Sequence, residues 1–129
     1  MFDRKKILSA LRLSGIYSLA IGFIHMAITP LILFKGFESL IFENLSIFIY
    51  VYLMTGLALI FSGRVLMLCA TALRNGDSWP QPIAWSAAVF VFLAAVGALL
   101  SMPYNPISYL ILLSALISLV TLWVYGHEV

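Results

Sequence analysis

Four long apolar runs, separated by short polar punctuation, set the pattern of this chain. A bilayer core of about 30 Å takes roughly 20 apolar residues at about 1.5 Å of helical rise each. The first run, from about Leu13 to Phe34, follows Arg4, Lys5, Lys6 and Arg12 and stops at Lys35. The second starts near Leu45, after Glu43-Asn44, meets Arg64, and continues as a helix to about Leu73. The third extends from Ile83 to Met102 and the fourth from about Ile107 to Tyr125. The pattern predicts an all-α fold: one transmembrane domain over 1–129, built as a four-helix bundle.

The punctuation differs in kind. Asn75-Gly76-Asp77 and then Trp79-Pro80-Gln81-Pro82 predict a loop. Pro103 and Pro106 bracket a tight turn, because the residue before a proline is pushed out of the helical region. Between Lys35 and Asn44 the chain mixes Phe37, Leu40, Ile41 and Phe42 with Glu38 and Glu43, which predicts a short amphipathic segment at the interface. Asn44 is then the expected cap of the second helix. The first run is longer than a secretory signal core and no small-x-small site follows it, so it is expected to be an anchor.

Composition agrees. Of 129 residues 64% are hydrophobic and 9% charged, and the mean hydropathy is +1.11. Soluble domains run near 45–50% apolar and about 25% charged, and a chain this short cannot bury such an excess in one aqueous core. Membrane lipids are therefore its expected surroundings. The net charge of +2 is not gathered into a basic stripe, which argues against a nucleic-acid partner. Cys69, the single cysteine, excludes an internal disulfide and a Cys-rich metal site.

Charge placement predicts orientation. With the N-terminus in the cytoplasm, Arg4, Lys5, Lys6, Arg12, Arg64 and Arg74 lie inside and only Lys35 outside. An even number of spans returns the C-terminus to the cytoplasm, and Trp79, Trp85, Trp123 and Tyr125 then sit near that interface. Arg64 lies about 30 Å along the helix from Asn44. There its long side chain can snorkel to the boundary, with the remaining two turns protruding or tilted along the interface. The alternative is a longer tilted span that holds Arg64 within the membrane as a functional candidate.

Small and polar residues mark where helices meet in lipid. In the first span Ser14, Ser18, Gly22, His25 and Thr29 form one expected inward stripe. The second offers Tyr52, Thr55, Gly56, Ser62 and Gly63, the third Ser86, Ala94, Gly97 and Ala98, and the fourth Ser114, Ser118 and Thr121. His25, about 18 Å in from Leu13, is expected near the midplane with Met54, Thr55, Ser114 and Ser118 at similar depth. It has two readings. In one, a neutral imidazole hydrogen-bonds across the bundle to Thr55, Tyr52 or a serine of the fourth helix. In the other, it binds a ligand or handles a proton.

Cofactor and enzyme chemistry find little to use. His127 lies about 18 Å from the depth of His25, so the pair cannot ligate one heme iron within a monomer. His25 with Met26 or Met54 could hold heme or a soft metal, but single methionines in apolar helices ordinarily pack. Asp3, Glu38, Glu43, Asp77 and Glu128 all fall in tails or loops, so paired-carboxylate chemistry lacks its groups. No serine has a base placed in a nucleophile motif. No cofactor is expected.

Gly22-Phe-Ile-His25 in the first helix and Thr55-Gly-Leu-Ala-Leu-Ile-Phe-Ser-Gly63 in the second resemble small bacterial four-span proteins of unknown function, loosely grouped as DoxX-like. The Met-Pro-Tyr-Asn-Pro turn before the last helix is compatible with that pattern. The resemblance covers most of the chain, implies a bacterial inner membrane and supplies no activity. Small multidrug transporters share the length and span number, but they depend on a membrane-embedded glutamate in the first helix that this chain lacks. The expectation is a non-enzymatic bundle, acting as a homo-oligomer or an accessory subunit of a larger membrane complex. The alternative is a binder or carrier of a small apolar molecule, a quinone or lipid, in a pocket of His25, Tyr52, Thr55 and Ser118. A third class is a membrane oxidoreductase component.

Overall fold

A computed structural model describes residues 3–36, 42–101 and 103–128, and within them every regular element is a helix. These are α1 (Arg4–Gly36), α2 (Phe42–Arg74), α3 (Pro80–Ser101) and α4 (Pro106–Glu128). Each contains a stretch long and apolar enough to cross a membrane. Successive helices pack antiparallel and α1 closes the ring against α4, whereas the diagonal pairs make no backbone-level contact among the described residues.

Local chemistry explains where the helices begin and end. α1 starts nine residues before the expected Leu13, because Asp3 caps it: its Oδ1 accepts from the Lys5 N–H at 2.9 Å, and its carbonyl from Lys6 and Ile7. α2 starts at Phe42, so Asn44 lies inside its first turn and not at the cap. The rest of the predicted interfacial segment, residues 37–41, lies outside the described residues. α2 ends in a Schellman motif. The Asp77 N–H donates to Ala72 O and the Gly76 N–H to Leu73 O, both at 3.2 Å, with Gly76 at φ +100°.

α3 takes in Pro80 and Pro82, expected as loop, because prolines are tolerated in a first helical turn where the missing N–H has no helical acceptor. α4 begins at Pro106 behind Asn105, whose Oδ1 accepts from the Ile107 N–H at 3.0 Å. The Tyr109 hydroxyl donates back to Pro103 O at 2.9 Å and ties down the same turn.

Two buried clusters divide the interior. Towards the basic end, Ile7, Leu8 and Leu11 of α1 pack with Leu66, Ala70 and Leu73 of α2 and with residues of α3 and α4. The part of α2 beyond Arg64 therefore stays in the bundle and does not tilt away, because the early start of α1 gives it a partner. Arg4 closes this end, donating to Leu73 O at 3.2 Å and the Tyr125 hydroxyl at 2.8 Å, with its guanidinium over the Tyr125 ring. The second cluster, including Ile21, Leu59, Val91 and Ile111, lies farther from the basic end.

The expected inward stripe of α1 is in fact two contact lines. Ser14 and Ser18 face α4. The Ser14 and Ser118 hydroxyls bond to each other, Ser18 and Ser114 do so at 2.5 Å, and Ser14 also reaches Ser114 O at 3.1 Å. Gly22 instead faces α2 together with Gly15. A Cβ on Gly22 would stand 2.8 Å from Gly56 O, and one on Gly63 would stand 2.5 Å from Gly15 O. Both glycine pairs are seven residues apart, Gly15 to Gly22 and Gly56 to Gly63, so each pair returns to one side of its helix after two turns.

Candidate functional site

The α1–α4 register locates His25. Ser14 lies opposite Ser118 and Ser18 opposite Ser114, so seven residues further along the antiparallel pair His25 comes level with Ile107. That is the first turn of α4. His25 thus stands near the turn that joins α3 and α4, not half-way along that hairpin, and Ser114 and Ser118 are not at its depth. The difference arises because α1 and α2 are 33 residues each, against 22 and 23 for α3 and α4, and the helix midpoints do not align.

Eleven residues separate His25 from Ser14, about 20° past three whole turns, so the imidazole shares the serine face of α1 and points into the bundle. It is 6% exposed. Its ring lies parallel to that of Tyr52, with planes 4° apart and centroids 5.0 Å apart, and the Tyr52 backbone is beside it. The close Gly22–Gly56 contact brings α1 and α2 near enough for this stacking, and Met26 and His25 both pack over Gly56.

A cleft of about 300 Å³ opens beside the imidazole. Tyr52 and Thr55 of α2 line it with His25, as do Ser101, Asn105 and Ser108 from the far end of the α3–α4 hairpin. Val51, Gly97 and Ser101 at its rim are exposed, so the cleft faces outward between α2 and α3. A Cβ on Gly97 would meet nothing within 4 Å, which makes this glycine a gap in the wall and not a packing contact. Among the described residues the lining holds no Lys, Arg, Asp or Glu.

Hydrogen bonding in the cleft is incomplete at one atom. His25 Nε2 is buried and has no hydrogen-bond partner among the described residues. Two of the partners expected for a structural role are turned elsewhere: Thr55 Oγ1 donates to Val51 O at 2.8 Å in its own helix, and Ser114 and Ser118 bond to Ser18 and Ser14. The third, Tyr52, stays against the ring, by its own ring and its backbone. A buried polar atom left unmatched costs about 1–3 kcal/mol, and such an atom in a cavity wall suits a hydrogen-bonding ligand or water.

Of the residues singled out in the sequence, His25, Tyr52 and Thr55 meet around the cleft, and Ser118 does not, lying on the serine ladder. Arg64 is exposed on α2, next to Gly63 and outside the cleft. His127 is near the basic end, where its Nδ1 is 2.8 Å from Trp123 O. No three His, Cys, Asp or Glu side chains gather among the described residues. Ser101, Asn105 and Ser108 escaped sequence reasoning because they flank a turn read only as punctuation. The one available signal was their polarity beside two prolines. Compared with family models, with curated proteins and with solved structures, the chain matches none.

Proposed function

We propose that this chain is a non-enzymatic multi-pass membrane protein that binds a small neutral molecule, of quinone or lipid type, in the cleft beside His25. The observation that carries this reading is the buried, unpartnered Nε2 of His25 in the wall of a 300 Å³ cleft. A few placed polar groups in a largely apolar concavity are the ordinary makings of a small-molecule site. Hydroxyl, amide and imidazole groups, with no charged side chain among the described lining residues, suit a neutral hydrogen-bonding head and leave an ionised one unpaired. The outward-facing rim between α2 and α3 gives such a molecule a lateral route from the lipid.

In this reading the basic end, with Arg4, Lys5, Lys6 and Arg74, faces the cytoplasm with both termini, following the bias of six Lys and Arg against Lys35 alone. The turn at Pro103–Pro106 then lies towards the opposite interface. The resemblance to DoxX-like proteins adds a bacterial inner membrane as the location.

Native mass spectrometry of gently extracted protein tests the proposal. Wild type is expected to carry a neutral adduct that His25→Leu loses while remaining folded. Wild type and variant that carry the same adduct, or none, would refute it.

A further inference from the structure

A second concavity of about 540 Å³ lies on the α2–α3 seam, nearer the basic end than the His25 cleft. Its walls are apolar apart from Ser62 and Ser86, and Ser86 satisfies its hydroxyl by donating to Pro82 O at 3.0 Å. On α2 the lining of the cleft and of this groove recurs at seven-residue spacing, Val51 to Ala58 and Thr55 to Ser62. On α3 it recurs in the same way, Ala94 to Ala87 and Gly97 to Phe90. Seven residues are two turns, so the cleft and the groove lie on one face of each helix, one after the other along the same seam. From Met54 to Val65 the groove extends about 16 Å. Met54, Leu57, Phe61 and Phe90 on its walls are exposed, so it opens sideways along its length.

We infer that the occupant is a neutral, single-tailed lipid, held with its head at His25 and its tail along the α2–α3 groove towards the basic end. This rests on the reading of the His25 cleft as a ligand site. The unpartnered imidazole nitrogen, 94% buried by its residue's exposure of 6%, fixes where the polar head goes. Among the described residues neither lining carries a charged side chain, and that favours a neutral head over a phosphate or carboxylate. Among the described residues this groove continues the head site along the seam, and its single channel matches one tail. The direction also suits a bilayer, since the head lies by the α3–α4 turn and the tail runs inward from it.

The test uses the full chain in phosphatidylcholine vesicles, with two monoacylglycerol probes carrying a diazirine either beside the glycerol or at the tail end. After photolysis the head probe is expected to label residues 51–55 or 97–108, and the tail-end probe residues 57–65 or 83–90. Excess unlabelled monoacylglycerol should remove both labels, and lysophosphatidylglycerol neither. Ser86→Phe, at an exposed position in the groove, should cut tail-end labelling several-fold and spare head labelling, and Ala58→Leu provides a second variant should the first not fold. Saturable head labelling with tail-end labels spread over all lipid-facing helices would overturn the tail path and leave the head site standing. No saturable labelling by either probe would overturn both. Competition by a decyl-substituted benzoquinone stronger than by monoacylglycerol would assign the occupant a ring head, and the reverse a glycerol head, within the same neutral single-tailed class.

Discussion

His25 and Tyr52 lie ring on ring, 5.0 Å apart at their centroids and 4° from parallel, with the Nε2 of His25 buried and unmatched among the described residues. The stack positions the imidazole and leaves Nε2 available to a ligand. Two consequences separate this arrangement from a histidine that simply holds the bundle together.

The first concerns stability. Replacing His25 by Leu removes an unmatched buried nitrogen and keeps most of the side-chain volume. Ligand-free His25→Leu is therefore expected to match wild type or exceed it by about 1 kcal/mol. Denaturant-dependent loss of helix, followed by circular dichroism in a matched detergent, checks this. A loss above about 2 kcal/mol would mean that the ring makes a structural hydrogen bond.

The second concerns Tyr52. A stacked pair of this kind contributes about 0.5–1.5 kcal/mol beyond its area. A double-mutant cycle of His25→Leu and Tyr52→Leu should give a coupling in that range, read from the same unfolding curves. Strict additivity would show that the stack carries no energy.

The glycines make opposite predictions. Gly63→Ala places a Cβ 2.5 Å from Gly15 O and 2.7 Å from Leu19 N, both backbone atoms that cannot turn aside. It should force α1 and α2 apart and destabilise by about 1–3 kcal/mol. Gly97→Ala meets nothing within 4 Å and removes a glycine from a helix interior, so it should stabilise by about 0.5–1 kcal/mol. Thermal unfolding of the two variants side by side makes the comparison.

Across the α1–α4 contact, Ser18→Ala and Ser114→Ala remove the two ends of one hydroxyl pair. Hydrogen bonds between membrane helices average about 0.6 kcal/mol and reach about 1.7. The coupling from their cycle should fall in that interval. A value indistinguishable from zero would show that the serine ladder is only a packing surface of small side chains.

Much of the architecture was legible from periodicity and punctuation. Four apolar runs became four helices, and the Asn75-Gly76-Asp77 signal became a helix-ending motif. Boundaries moved outward where capping chemistry was overlooked: Asp3 starts α1 among charged residues that looked like a tail, and Pro80 and Pro82 open a helix where they looked like a loop. The small-residue stripe on α1 was visible, but a list at spacings of three and four runs together faces some 60° apart. The matching seven-residue spacing of Gly15–Gly22 and Gly56–Gly63 was the signal that would have separated them.

Within the site, depth was the weak link. Counting 1.5 Å per residue from the start of each run assumes that all four runs share a centre, and unequal helices break that assumption. His25 with Tyr52 and Thr55 depends only on the α1–α2 pair of equal length. Ser118 depends on α4, whose register against α1 is set by the Ser14–Ser118 contact and is invisible in either segment alone.

The most direct measurement is the ¹⁵N NMR signal of the His25 ring nitrogens in phosphatidylcholine nanodiscs, with ¹⁵N-histidine label and His127→Gln to leave a single ring. Titration with decyl-substituted benzoquinone and, separately, with monoacylglycerol should move the Nε2 resonance saturably with at least one of them. Gly97→Leu, which fills the open side of the cleft, should abolish the shift. An Nε2 resonance that stays in place throughout both titrations, or moves equally when the cleft is filled, would contradict a ligand site at His25.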